Sequence, residues 1–158
     1  MILMGLATVA STISMADARG RLQGKSDAQT VARLGGIVER SGYTYKKAAD
    51  NVWVVHFTGQ AAGDVNVLVT SAEGIVIMGV VVAQKDTLRV TPEMMHRLLK
   101  LTHEIDRVKI GFDNDDDLFV RAEVSARLFD LEEFKSDVQQ LVAGTDKIRA
   151  AIKPFLTQ

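Results

Sequence analysis

Cysteine is absent from the 158 residues, which removes disulfides, thiolate metal sites and cysteine nucleophiles from consideration. Only three histidines and two prolines are present. Histidine is the usual side chain for metal ligation and for proton transfer near neutral pH, so three of them leave little material for either. Neither sign of charge is in excess: 19 Lys and Arg face 20 Asp and Glu, for a formal net charge of −1. Such a chain has no basic field to draw it to an anionic membrane surface or to nucleic acid, and no nucleic-acid partner is expected. Its basic residues are scattered and do not interleave with aromatics. The motifs of several enzyme classes are missing as well. No GxSxG, HExxH or P-loop occurs, and the pair Gly35-Gly36 falls inside a helical pattern, where no dinucleotide fingerprint would be. The reading is a protein that is not an enzyme and carries no cofactor, no metal and no catalytic residue.

What is present is a composition of 47% hydrophobic and 25% charged residues, the balance of a globular chain long enough for one well-filled core. The first 18 residues, MILMGLATVASTISMADA, stand apart, because Asp17 is their only charge. Ala16-Asp17-Ala18 has the small-x-small form of a signal-peptidase site, although the basic start of an export signal is missing. Gly5, Ser11, Thr12 and Ser14 break the apolar run, so no stable membrane span is expected. Residues 1–18 are read as a signal peptide, 19–26 (RGRLQGKS) as a linker and 27–156 as a single domain. The protein is then exported or periplasmic if the leader is cleaved, and cytoplasmic otherwise.

Along the domain, Val31, Leu34 and Val38 recur at helical spacing between a capping Asp27 and Gly42. The glycine pair within this helix calls for another element packed close against it. Strands follow at 44–49, 52–58, 65–71 and 75–83, with Asp50-Asn51 as a hairpin turn. Thr91-Pro92-Glu93 opens a second helix: an N-cap, a proline at the first helical position and an acid at the positive end of the dipole. It runs to about Ile105, and strands at 107–113 and 118–124 come next. Leu131, Phe134, Val138, Leu141, Ile148 and Ile152 mark a long terminal helix that Gly144 is expected to bend and Pro154 to end. The order α-β-β-β-β-α-β-β-α predicts an α+β fold, an antiparallel sheet with flanking helices.

The most conspicuous polar stretch is Asp113-Asn114-Asp115-Asp116-Asp117. An EF-hand loop counted from Asp113 needs glycine at its sixth position and glutamate at its twelfth, where Leu118 and Val124 stand. Alternating apolar residues flank the stretch on both sides, so it is read as a hairpin turn, for which Asp and Asn are suited. His96 and His103 are seven residues apart on one helix, about 10 Å along its axis and too far apart to share a metal.

The abundant feature is apolar strand surface. In 75–83, Val76, Met78, Val80 and Val82 share one face and Ile75, Ile77 and Val81 the other. In 52–58, Trp53, Val55 and Phe57 oppose Val52 and Val54, with which His56 is in phase. An antiparallel sheet that solvates one face shows a clean polar–apolar alternation, and this one does not. Either helices cover both faces, or a partner covers the second. The rows Trp53, Val55, Phe57 and Val76, Met78, Val80, Val82 are the candidate partner-binding residues. The expected function is a chaperone-like or regulatory protein-binding module that forms a homodimer or holds a client polypeptide. The alternative is a small-ligand or lipid-binding domain, with an apolar pocket into which His56 and Asn66 point.

The segment from about 30 to 156 resembles the YbjN-like family of bacterial sensory transduction regulators, whose fold is that of type III secretion chaperones. The resemblance lies in the helix opened by TPEMMHRLLKLTHEID, the hairpin VKIGFDNDDDLFVRAEV and the final helix opened by LEEFKSDVQQL. It implies a noncatalytic, often dimeric domain that acts by contact with other polypeptides, and it carries over no catalytic residue. Secretion chaperones of this fold hold extended client segments on exposed apolar surface, which suits the doubly apolar strands.

If the leader is an export signal, mass spectrometry of the protein from its own host should find a mature chain beginning at Arg19. Intact residues 1–18 in the soluble cytoplasmic fraction would be the opposite result.

Overall fold

The computed structural model describes residues 27–157; the leader and linker read above lie outside the described residues. The first helix, α1, spans Ala28–Arg40. It starts where the Asp27 carboxylate accepts a hydrogen bond from the Thr30 backbone N–H at 2.8 Å, and the chain leaves it through Gly42 at φ +79°. Four strands then run as a meander: β1 (Tyr45–Ala49), β2 (Val52–Thr58), β3 (Asp64–Ala72) and β4 (Ile75–Ala83). Glu73 and Gly74 both have positive φ, 50° and 79°, as a two-residue hairpin turn requires. Helix α2 (Pro92–Glu104) follows, capped by the Thr91 hydroxyl, which accepts from the Met94 N–H at 3.1 Å. Then come β5 (Lys109–Phe112), β6 (Leu118–Ser125) and α3 (Leu131–Ile152).

The six strands form one sheet in the order β1-β2-β3-β4-β6-β5, antiparallel at every pairing. The chain passes from β4 through α2 to the far edge and returns, so β6 lies between β4 and β5. The architecture is the α+β one expected, and the differences are local. β5 is shorter than 107–113 because Arg107 sits at φ +65°, a left-handed conformation that cannot continue an extended strand. Helix α3 is not interrupted at Gly144. A Cβ there would stand 3.3 Å from Ile105 Cγ2, so the glycine serves close packing rather than a bend. Gly35 meets the expectation of a close neighbour, because its Cβ would stand 3.1 Å from the Trp53 ring.

The three described helices pack on the same face of the sheet. Leu34 and Val38 of α1, Met94 and Leu98 of α2, and Phe134, Val138, Leu141 and Ile148 of α3 join Val55, Val67, Val69, Met78 and Val120 of the strands in one buried core. Two aspartates of α3 fasten the helix to loops at its borders. Asp146 accepts hydrogen bonds from three successive backbone N–H groups of the β2–β3 loop: Gln60 at 3.0 Å, Ala61 at 3.0 Å and Ala62 at 2.8 Å. Gly59 makes room for it, since a Cβ there would lie 2.4 Å from Asp146 Oδ1. Burial works to raise the Asp146 pKa, but the three N–H donors outweigh it and hold the carboxyl below its ordinary value.

Asp137 is the contrary case. It is 1% exposed, and among the described residues neither of its oxygens accepts a hydrogen bond. Its one ion pair is to Arg107, 3.3 Å away, which also pairs with Glu133. Burial pushes the Asp137 pKa up, and Arg107 opposes the shift without cancelling it.

Two pH responses of opposite sign follow. Asp146 contributes stability above its unfolded-state pKa that is lost as pH falls through the lower folded value. Asp146→Ala should cost roughly 2 kcal/mol at pH 7, since three N–H groups lose a charged acceptor, and urea unfolding measures it. Ionised Asp137 costs stability at neutral pH, a cost that fades as pH falls through its raised folded value. Arg107→Met strips the buried carboxylate of its counter-charge and should cost about 2 kcal/mol at pH 7, below the figure for a fully buried pair because Arg107 is half exposed. Repeated near pH 4, the same unfolding comparison should show a smaller loss.

Candidate functional site

The candidate partner-binding residues read from the sequence turn inward. Trp53, Val55, Val76, Met78, Val80 and Val82 are each 6% exposed or less, inside the core beneath the helices. Phe57 is half-buried, with its ring edge-on to Tyr43 at 4.7 Å. They occupy the inner face because the helices gather there, and the second apolar face is the other one. Val52 and Val54 of β2, Leu68 of β3, Ile77 and Val81 of β4, and Phe119 of β6 point outward, alternating with the core residues. They are half-buried by their strand neighbours, and Ile75 beside them is 39% exposed. Among the described residues no helix lies over this outer face.

Polar groups border the apolar band. At one end His56 and Asn66, register partners on β2 and β3, are exposed and joined through His56 Nδ1 and Asn66 Oδ1 at 2.5 Å. Both lie on the outer face, so neither points into the core as an apolar pocket lined by them would require. Toward β5 stand Arg121 and Glu123 of β6 and Lys109 of β5. Arg121 pairs with Glu123 at 2.8 Å and lies over the Phe119 ring, 5.3 Å from its centroid. Lys109 pairs with the same Glu123, and its hydrogen bond is the main cause that holds the glutamate below its ordinary pKa against partial burial.

The sheet edges are guarded. Edge strand β1 carries Lys46 and Lys47 and a bulge between Lys47 and Ala49, and edge strand β5 has only four residues. Charge, irregularity and shortness discourage the addition of another strand, which leaves the flat outer face as the accessible apolar surface.

The acidic stretch is a self-bonded hairpin turn. Asp113 Oδ1 accepts from the backbone N–H of Asp115 and of Asp117, each at 3.0 Å, and Asp116 takes φ +64°. It also anchors the segment after β4. The Lys85 backbone N–H donates to Asp117 Oδ1 at 2.9 Å, and Lys85 Nζ to Asp116 Oδ2 at 2.6 Å. Among the described residues no three His, Asp or Glu side chains are placed to hold a metal ion, and no helix is long and apolar enough to cross a membrane.

The residues missed as surface, among them Leu68 and Phe119, had a signal in the chain. His56, Asn66, Arg121 and Glu123 all share the phase of the outer row. Polar residues in phase mark the face that no described helix covers.

No family model matches the sequence, and no curated protein matches it significantly. Solved structures do. The heterodimeric ExoU–SpcU complex of the type III secretion system of Pseudomonas aeruginosa includes a chain similar to this one, with a TM-score of 0.56 and 16% identity over 75% of this chain and 97% of that one. The ExsC–ExsE complex includes another, with a TM-score of 0.55 and 14% identity over 78% and 93%. YbjN from E. coli is similar with a TM-score of 0.51 and 16% identity over 80% and 94%. At these identities the likeness is one of fold: the chain has a YbjN-like, type III secretion chaperone-like fold, an antiparallel six-stranded sheet with its helices packed against it.

Proposed function

We propose that this chain is a non-enzymatic, chaperone-like or regulatory protein-binding module whose outer sheet face takes up another polypeptide, either a client or a second copy of the chain. The observation that carries this reading is the apolar outer face over the central strands, opposite a core that the chain's own helices already complete. Apolar surface left in water forgoes about 25 cal/mol per Å² of burial, so a band this broad favours association. Two of the similar structures are complexes with a second protein, which agrees with this reading. Regulation by contact needs no catalytic residue, no cofactor and no nucleic acid.

Two single substitutions on the same strand separate the faces. Met78 is fully buried, so Met78→Asp places an unpaired charge in the core and should unfold the domain. Val81 is its outward counterpart. Val81→Asp should keep the wild-type circular dichroism spectrum and lose association through this face, read by light scattering as loss of a dimer where the wild type pairs with itself and as loss of bound polypeptide where it takes up a client. A wild type that is monomeric, together with a Val81→Asp variant that unfolds, would overturn this function.

A further inference from the structure

One row of residues on the outer face crosses all six strands: Lys46, Val54, Leu68, Gly79, Arg121 and Lys109, each the register partner of the next. The fold leaves two features of this row unexplained. The first is Gly79. Glycine weakens the interior of a strand, and here the packing of the described residues does not ask for it. A Cβ at 79 would meet Arg121 Cβ and the Val120 carbonyl at 3.5 Å, ordinary contact, and its φ is not one that excludes a side chain. Gly111, also on the outer face, has an internal reason, because the Phe119 ring lies 3.1 Å from where its Cβ would be. The bulge of β4 falls later, between Val81 and Ala83, so the use that fits a regularly paired mid-strand glycine is the close approach of another body to the backbone. The second feature is charge. The row holds three cations and no anion, and Glu123 in the neighbouring row is one carboxylate shared by Arg121 and Lys109.

We propose that the notch over Gly79 receives a bulky apolar side chain from an acidic segment of a different polypeptide, with carboxylates on either side of that residue meeting Lys46 on one flank and Arg121 and Lys109 on the other. This rests on the protein-binding reading and narrows it to a partner chemistry. Strands about 4.8 Å apart put Lys46 roughly 14 Å and Lys109 roughly 10 Å from Gly79. An extended chain at about 3.3 Å per residue, with alternate side chains on one face, then sets its carboxylates some four residues to one side of the apolar residue and some two to the other, the latter between Arg121 and Lys109. A second copy of this chain fits the row less well. A two-fold axis between facing sheets sets each residue of the row over itself or brings Lys46 toward Lys109, and cation meets cation either way.

The test is fluorescence anisotropy of the full chain with a labelled synthetic peptide of about 12 residues, one leucine at its centre and glutamates at the spacing above. Binding should weaken about tenfold or more when the glutamates become lysines, when the leucine becomes alanine, and in a Gly79→Val variant that keeps the wild-type circular dichroism spectrum. It should also weaken as salt is raised, while self-association through the same face should strengthen. Lysine peptide bound as tightly as glutamate peptide, or undiminished binding to Gly79→Val, overturns the acidic-knob proposal and leaves the face a binding site. No binding of either peptide, with Val81→Asp still dissociating the wild-type dimer, makes the occupant a second copy and also overturns it. No binding and no association of the wild type under any salt removes the protein-binding reading as well.

Discussion

The packing of α3 across one face of the sheet is the interaction on which the rest of the molecule depends. Phe134, Val138, Leu141, Ile148 and Ile152 bury one side of this 22-residue helix against β3, β4 and β6, while α1 and α2 close the core on either side. Once the described helices are committed to the inner face, parity sets the environment of most strand residues; Thr70, on the outer phase but buried with its hydroxyl donating to the Asn51 carbonyl, is an exception. Neighbours one position apart point to opposite faces, so Met78 is sealed while Ile77 and Val81 stay outside. The apolar outer band is a direct consequence of a core completed from one side.

The polar anchors of α3 show how the helix is held in place. Asp146 is a carboxylate in a cradle of three backbone donors, satisfied and held in its charged form. Asp137 is a carboxylate in an apolar setting, leaning on Arg107 alone, and its charge is expensive there. The two lie on the same helix and respond to acid in opposite senses. Burial penalises the charged form at both, and only the donors around Asp146 overcome that penalty.

What distinguishes the outer face from ordinary solvated sheet is the combination of an apolar band, a mid-strand glycine that the packing of the described residues does not require, and a cationic row. Its edges carry the devices that suppress strand addition, which leaves the flat face as the accessible apolar surface. Two of the similar solved chains are paired with other proteins, yet at 14–16% identity their likeness to this chain is in backbone architecture alone.

By itself the sequence determined the elements and their order. Asp27 and Thr91 announce helix starts because a side-chain oxygen can cap free N–H groups locally, and Asp113 closes its turn on its own neighbours in the same way. Period-two and helical spacings gave strand and helix type because they express geometry within a few residues. Trp53, Val55 and the row from Val76 to Val82 were legible as one face but not as the inner one, since apolar side chains occupy both sides of these strands. Which side the helices would cover is a long-range choice, made by contacts such as Gly35 against Trp53 and Gly144 against Ile105 between segments distant in the chain. The same holds for the row from Lys46 to Lys109. Its residues are scattered over 64 positions and become neighbours only through register, which pairing across six strands, and not local sequence, decides.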